Sequence, residues 1–176
     1  QNFYDLKTQK LDDFNYFLNE YYDKRNQKST TAITDIPVRV NILRTTSGNT
    51  AVSENDVINR INDANEEFAD SFMRFYVCDG INYITDNALF NFNYADQQQL
   101  IQYNQENIMN IYFMNSITNN SGGGICGFTQ FPQGFSSNSD ILVMSANCSG
   151  NLYNTFTHEL GHHFGVEHTC LLYTSP

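Results

Sequence analysis

All four histidines of the 176-residue chain lie in one stretch, His158-Glu159-Leu160-Gly161-His162-His163-Phe164-Gly165-Val166-Glu167-His168. Their spacing constrains the local fold before anything else in the chain does. On an α-helix, residues four apart share a face about one turn apart, so the His158 and His162 imidazoles reach a single Zn²⁺ at roughly 2.0–2.1 Å. Glu159, three residues before His162, flanks the same face and reaches toward the open position of such a metal. Gly165 takes the left-handed conformation that ends a helix, which lets the chain turn back and present His168 from outside it. The three fixed residues of HExxH alone would arise by chance in about one random chain in 50, and the five of HExxHxxGxxH in about one in 20,000. The long pattern therefore carries the argument.

Three neutral histidines leave a fourth metal position open to water, and Glu159 stands where a general base to that water belongs. His163 sits about 100° round the helix from His162 with no partner at ligand spacing, so it is read as a packing or supporting residue. Glu167 is read as a solvated charge, with a carboxylate orienting an imidazole as the alternative.

With these residues in view, the chain resembles the metzincin clan of zinc metallopeptidases and, more narrowly, the pappalysin family. The narrower resemblance rests on Ile36-Pro37-Val38-Arg39-Val40-Asn41-Ile42-Leu43-Arg44 as a first strand and Val52-Ser53-Glu54-Asn55-Asp56-Val57 as the start of a backing helix. Cys126-Gly127-Phe128 followed by Phe131-Pro132 is similar to an upper-rim strand. The resemblance spans roughly residues 36–169 and implies an α/β (α+β) upper subdomain, a twisted, mixed, mostly parallel sheet with a backing helix and an active-site helix. It also implies Zn²⁺ held by His158, His162 and His168, Glu159 as catalytic base, and a peptide or protein substrate. Metzincins carry a Met-containing turn after the third histidine, whereas no methionine follows His168 here. The lower subdomain is therefore expected to be missing and 170–176 to be a truncated or non-native tail, so that residues 1–176 bind Zn²⁺ with little peptidase activity.

Composition narrows the partners. With 40% hydrophobic and 14% aromatic residues the chain has the makings of one well-packed domain. A net charge of −10 with nine Lys and Arg and no basic cluster excludes nucleic acid and anionic lipid as partners. No apolar run approaches the roughly 18 residues that span a membrane, and the start at Gln1 without a signal peptide fits a mature form or a fragment. Cys78, Cys126, Cys148 and Cys170 lack CxxC spacing and read as up to two disulfides of a secreted, extracellular protein, Cys126 with Cys148 being the first expectation. Cys170 as a fourth, site-closing zinc ligand is the lesser alternative.

Periodicity supplies the remaining elements. Phe3, Leu6, Leu11, Phe14, Phe17, Leu18 and Tyr21 predict an amphipathic helix over about 4–26, followed by a linker over 30–35. Residues 1–35 are thus either a helix packed on the catalytic domain (36–169) or a prosegment remnant. Strands are expected over 39–46, 72–84, 108–116 and 141–146, a weak helix over 96–104, and the active-site helix over 152–164. Ser53 with Asp56 opens a helix whose apolar face is Val57, Ile58, Ile61, Ala64 and Phe68. If 125–131 is an edge strand, ended by Pro132, its backbone can bind an extended peptide by strand addition. The reading that follows is a secreted zinc endopeptidase. The alternative is a zinc-binding but catalytically inactive extracellular module, against which the intact Glu159 argues, since a structural site needs no base. A carbohydrate-binding domain, suggested by the many Tyr, Phe and Asn, has no site spacing behind it.

Overall fold

The central strands carry near-continuous apolar runs, and because successive side chains point to opposite faces the sheet buries both faces and each face gathers its own core. The computed structural model describes residues 32–130, 141–148, 152–166 and 168. Its strands are β1 (Thr34–Arg44), β2 (Met73–Thr85), β3 (Asn91–Asn93), β4 (Met109–Met114), β5 (Ser116–Thr118), β6 (Gly124–Ile125), β7 (Gly127–Thr129) and β8 (Ile141–Ser145). Its helices are α1 (Glu54–Glu67), the single turn α2 (Asn87–Phe90) and α3 (Leu152–His163). Five strands form one sheet in the order β2-β1-β4-β8-β7. Pairing is parallel for β1 with β2 and β4 and for β4 with β8, and antiparallel for β7 with β8. This is the mixed, mostly parallel sheet expected.

One face of the sheet, through Val38, Val40, Ile42, Ile111, Phe113, Leu142 and Met144, packs against Val57, Ile61 and Ala64 of α1 and Phe156 and Leu160 of α3. The opposite face, through Leu43, Tyr112, Met114, Ile141 and Val143, packs on Leu89 and Phe92 and on Leu100 of a 3₁₀ stretch, Tyr94–Tyr103. That second layer includes a small sheet, β3-β5-β6, which the periodicity did not announce because its strands are only two or three residues long.

Ser53 caps α1, its Oγ accepting the Asp56 N–H at 3.1 Å as a capping box requires. The apolar face of α1 needs one correction. Ile58 is 41% exposed, whereas Arg60 is 5% exposed, its guanidinium 5.3 Å from the Phe113 ring centre. Arg60 buries a long apolar stem and an aromatic-facing cation at a helical position that hydrophobicity alone would assign to solvent. The stretch 96–104, read as a weak helix, forms 3₁₀ turns, in which only Leu100 is fully buried. β1 starts at Thr34, inside the stretch read as linker, because Thr34 pairs with Met73. The helix predicted over 4–26, Pro132, Glu167, Cys170 and the tail 170–176 lie outside the described residues.

Cys126 and Cys148 are disulfide-bonded, with Cα atoms 5.0 Å apart, as expected, and Cys78 is a free thiol. Cys126 stands where the chain leaves β6 of the small sheet and enters β7, the edge of the large one; Cys148 follows β8 on the way to α3. The bridge thus ties the edge strand to the approach to α3, contributing about 2–4 kcal/mol by restricting the unfolded chain. Among the described residues no helix is long and apolar enough to cross a membrane.

Candidate active site

Two pairs of residues four apart give α3 its orientation. Phe156 and Leu160, both buried, hold one face of the helix in the core, with Phe156 packed against Phe113 at a ring separation of 6.2 Å. His158 and His162, offset from them by two positions, consequently face away from the core. Just past the helix, Phe164 packs on Phe68 and Phe75, with ring centres 6.1 and 6.0 Å away, and so anchors the end of α3 to α1 and β2.

Gly165 terminates the helix at φ 86°, in the left-handed region, as its place in the motif implies. The Gly165 N–H donates to His162 O and the Val166 N–H to Gly161 O, each at 2.9 Å, the two reciprocal bonds of a Schellman motif. The reversed chain does two things for the histidines. It brings His168 back to the helix, and it places the Val166 carbonyl on Nδ1 of His162. That carbonyl only accepts, so Nδ1 carries the proton and Nε2 of His162 is left with its lone pair.

The three Nε2 atoms of His158, His162 and His168 converge, with mutual separations of 2.9, 2.8 and 2.9 Å. Each imidazole nitrogen has one lone pair or one proton, so three of them meeting at a point cannot all be satisfied by one another. A divalent cation satisfies all three, and a neutral three-imidazole donor set is what zinc takes at sites with an open position. Burial, followed by the charges of His162 and His168, holds the His158 imidazole below its ordinary pKa, favouring the neutral form that ligates. The residues present therefore fit zinc.

Glu159 lies between the two faces of α3 and is 8% exposed. Burial pushes its carboxyl above the ordinary range, and nearby His162 opposes that shift. His163 turns away from the triad, its Nδ1 lying 3.3 Å from Thr129 Oγ1 of β7, as expected of a packing residue.

β7 ends the sheet order, so among the described residues no strand pairs with its outer side. Its inner bonds to β8 fall at Cys126, whose carbonyl accepts from Ser145 N, and at Gln130, whose N–H donates to Ile141 O. In an antiparallel ladder bonded positions alternate, so Gly127 and Thr129 direct their N–H and C=O groups to the outer edge. The sequence had marked 125–131 as an edge, but which backbone groups stay open follows only from the register.

Replacing Gly165 by Ala puts a Cβ into the left-handed region, and the turn carries both His168 and the carbonyl behind His162. We expect a loss of about 1–2 kcal/mol of stability. Zinc affinity should fall about 10–100-fold as the support of the ligands loosens. Thermal melts and chelator competition check both.

The mixed α/β fold is structurally similar to that of a metzincin-type metalloprotease. It is similar to a promirolysin mutant from Tannerella forsythia, with a TM-score of 0.61 at 21% identity, covering 85% of this chain and 63% of that one. It is also similar to a solved chain described as a chaperone-substrate complex, with a TM-score of 0.53 at 18% identity, covering 80% of this chain and 27% of that one. This chain thus spans less than two thirds of either solved chain. Residues 52–169 match the family described as Metallo-peptidase family M12B Reprolysin-like, and the chain belongs to that family. No curated protein matches it.

Proposed function

We propose that this chain is the catalytic part of a secreted, zinc-dependent endopeptidase that cleaves extended protein substrates. The observation that carries the reading is the meeting of three histidine Nε2 atoms at 2.8–2.9 Å from one another. Beside them, on the same helix, lies a buried carboxylate. His158, His162 and His168 would hold the zinc, which supplies Lewis acidity and a water acidified toward neutral pH.

The chain's own residues supply the rest. The Glu159 carboxylate takes the water's proton and, once protonated, can deliver it to the leaving amine. The outward N–H and C=O groups of Gly127 and Thr129 bind the substrate main chain by strand addition, giving affinity with little dependence on side chains. Val166 O holds the proton on His162 Nδ1, so that Nε2 stays a donor to metal. The Cys126–Cys148 disulfide supports an extracellular setting. The narrower pappalysin assignment rests on the segments 36–44, 52–57 and 126–132.

The test is metal removal from the full-length protein, followed by readdition. Cleavage of an unstructured protein substrate should stop with chelation and return with about one equivalent of Zn²⁺ per chain. Full activity in the metal-free protein would sink the reading; a zinc-loaded protein that cleaves nothing would instead favour an inactive zinc-binding module.

A further inference from the structure

We propose that Gly127 is a positioning residue: the missing side chain at this point of the edge strand sets where the Glu159 carboxylate stands relative to the bound substrate main chain. The inference rests on the proposed function, in which Glu159 is the base and β7 the peptide-binding edge.

Gly127 is not a glycine for conformational reasons, since it is not among the residues with positive φ. The reason is space. A Cβ built at 127 would lie 2.9 Å from Met144 Sδ, 3.1 Å from Glu159 Cγ and 3.1 Å from Val143 O. The contact to Met144 Sδ, under 3.0 Å, forces a shift there, and each of the two neighbours at 3.1 Å must itself give by a few tenths of an ångström. Val143 O belongs to the backbone of β8, which is held in the ladder on both sides. Met144 is fully buried in the core between the sheet and the helices. Glu159, although buried, meets the added methyl through a side-chain carbon rather than through backbone, so its contact is relieved by a shift of that side chain.

The same residue also offers its N–H and C=O to the outer edge. Gly127 therefore joins two requirements of one reaction at a single Cα, the line of the substrate backbone and the place of the proton acceptor. A methyl group at this position displaces the second relative to the first. A displacement of about 1 Å between reacting groups costs about 10²-fold in rate, so a shift of a few tenths of an ångström should cost about 4–10-fold.

The experiment compares Gly127→Ala in two backgrounds of the full-length protein, wild type and Glu159→Gln. In the wild-type background kcat should fall about 4–10-fold while KM changes by less than about twofold, the pattern of an interaction made in the transition state. In the Glu159→Gln background, where there is no base left to misplace, the same substitution should change the residual rate by less than about twofold. Cobalt replacing zinc supplies a readout independent of turnover. The visible Co²⁺ absorption of Gly127→Ala should match that of the wild type, because all three ligands come from α3 and the turn after it. An equal fall in both backgrounds, an unchanged kcat, a lost Co²⁺ spectrum or an unfolded variant each assigns Gly127 to packing and overturns the proposal. Glu159→Gln with unaltered turnover overturns the proposed function itself. Inactive Glu159→Gln beside fully active Gly127→Ala overturns only the role of Gly127.

Discussion

Glu159→Gln should keep one zinc per chain and lose about 10²–10⁴-fold in kcat/KM, the range that general base catalysis contributes. The two side chains have nearly the same shape, so the substitution isolates proton transfer from packing. An amide oxygen accepts a hydrogen bond from water but cannot take its proton. None of the three Nε2 atoms belongs to residue 159, and their convergence depends on the helix and the turn after it. Metal analysis should therefore match the wild type. The burial that raises the Glu159 carboxyl also makes a neutral amide easy to accommodate, so the variant should melt no lower than the parent. Turnover within about tenfold of wild type, measured on an unstructured protein with the metal loaded, would remove Glu159 from the role of base.

The parts of this site that are local in sequence were legible in it. The spacing of His158 and His162, the glycine at 165 and the return to His168 span eleven residues, and helical geometry with one left-handed turn determines how they meet. The Schellman bonds from Gly165 and Val166 realise what the glycine announced. The central strands were legible for a similar reason, β4 and β8 being near-continuous apolar runs buried on both faces. What stayed hidden depends on partners distant in the chain. Arg60 looks like a surface residue until Phe113, on another element, lies beneath its guanidinium. The Asp79-Gly80 pair is a turn signal inside a strand, and only the pairing of β1 with β2 turns it into a bulge, the register shifting between Val38 and Val40. Gly127 reads as an ordinary strand glycine until β8 and α3 close around it. The triad's supporting carbonyl escaped notice because a backbone group carries no sequence signature.

His162→Ala should abolish stoichiometric zinc binding, and His158→Ala and His168→Ala should each weaken it by more than about 10²-fold. The bound follows from the effect of indirect partners: loss of a group that merely orients a metal-bound histidine costs about 10–100-fold, and loss of the ligand itself costs more. His162 should be the most severe of the three. Its Nε2 is within 2.9 Å of both other ligands, and its Nδ1 is bonded to the Val166 carbonyl, so its ring joins the helix to the returning chain. His163→Ala is the matched control, a neighbouring histidine whose ring faces Thr129 instead of the triad. It should retain the metal. The same series has a stability readout, because a ligand bound only by the folded state adds about 2.7 kcal/mol at a hundred times its Kd. Zinc should therefore raise the melting temperature of the wild type and of His163→Ala, and leave His162→Ala unmoved. Unchanged zinc stoichiometry in all three triad variants would mean that the convergence of their Nε2 atoms is not a metal site, and the catalytic reading of Glu159 would fall with it.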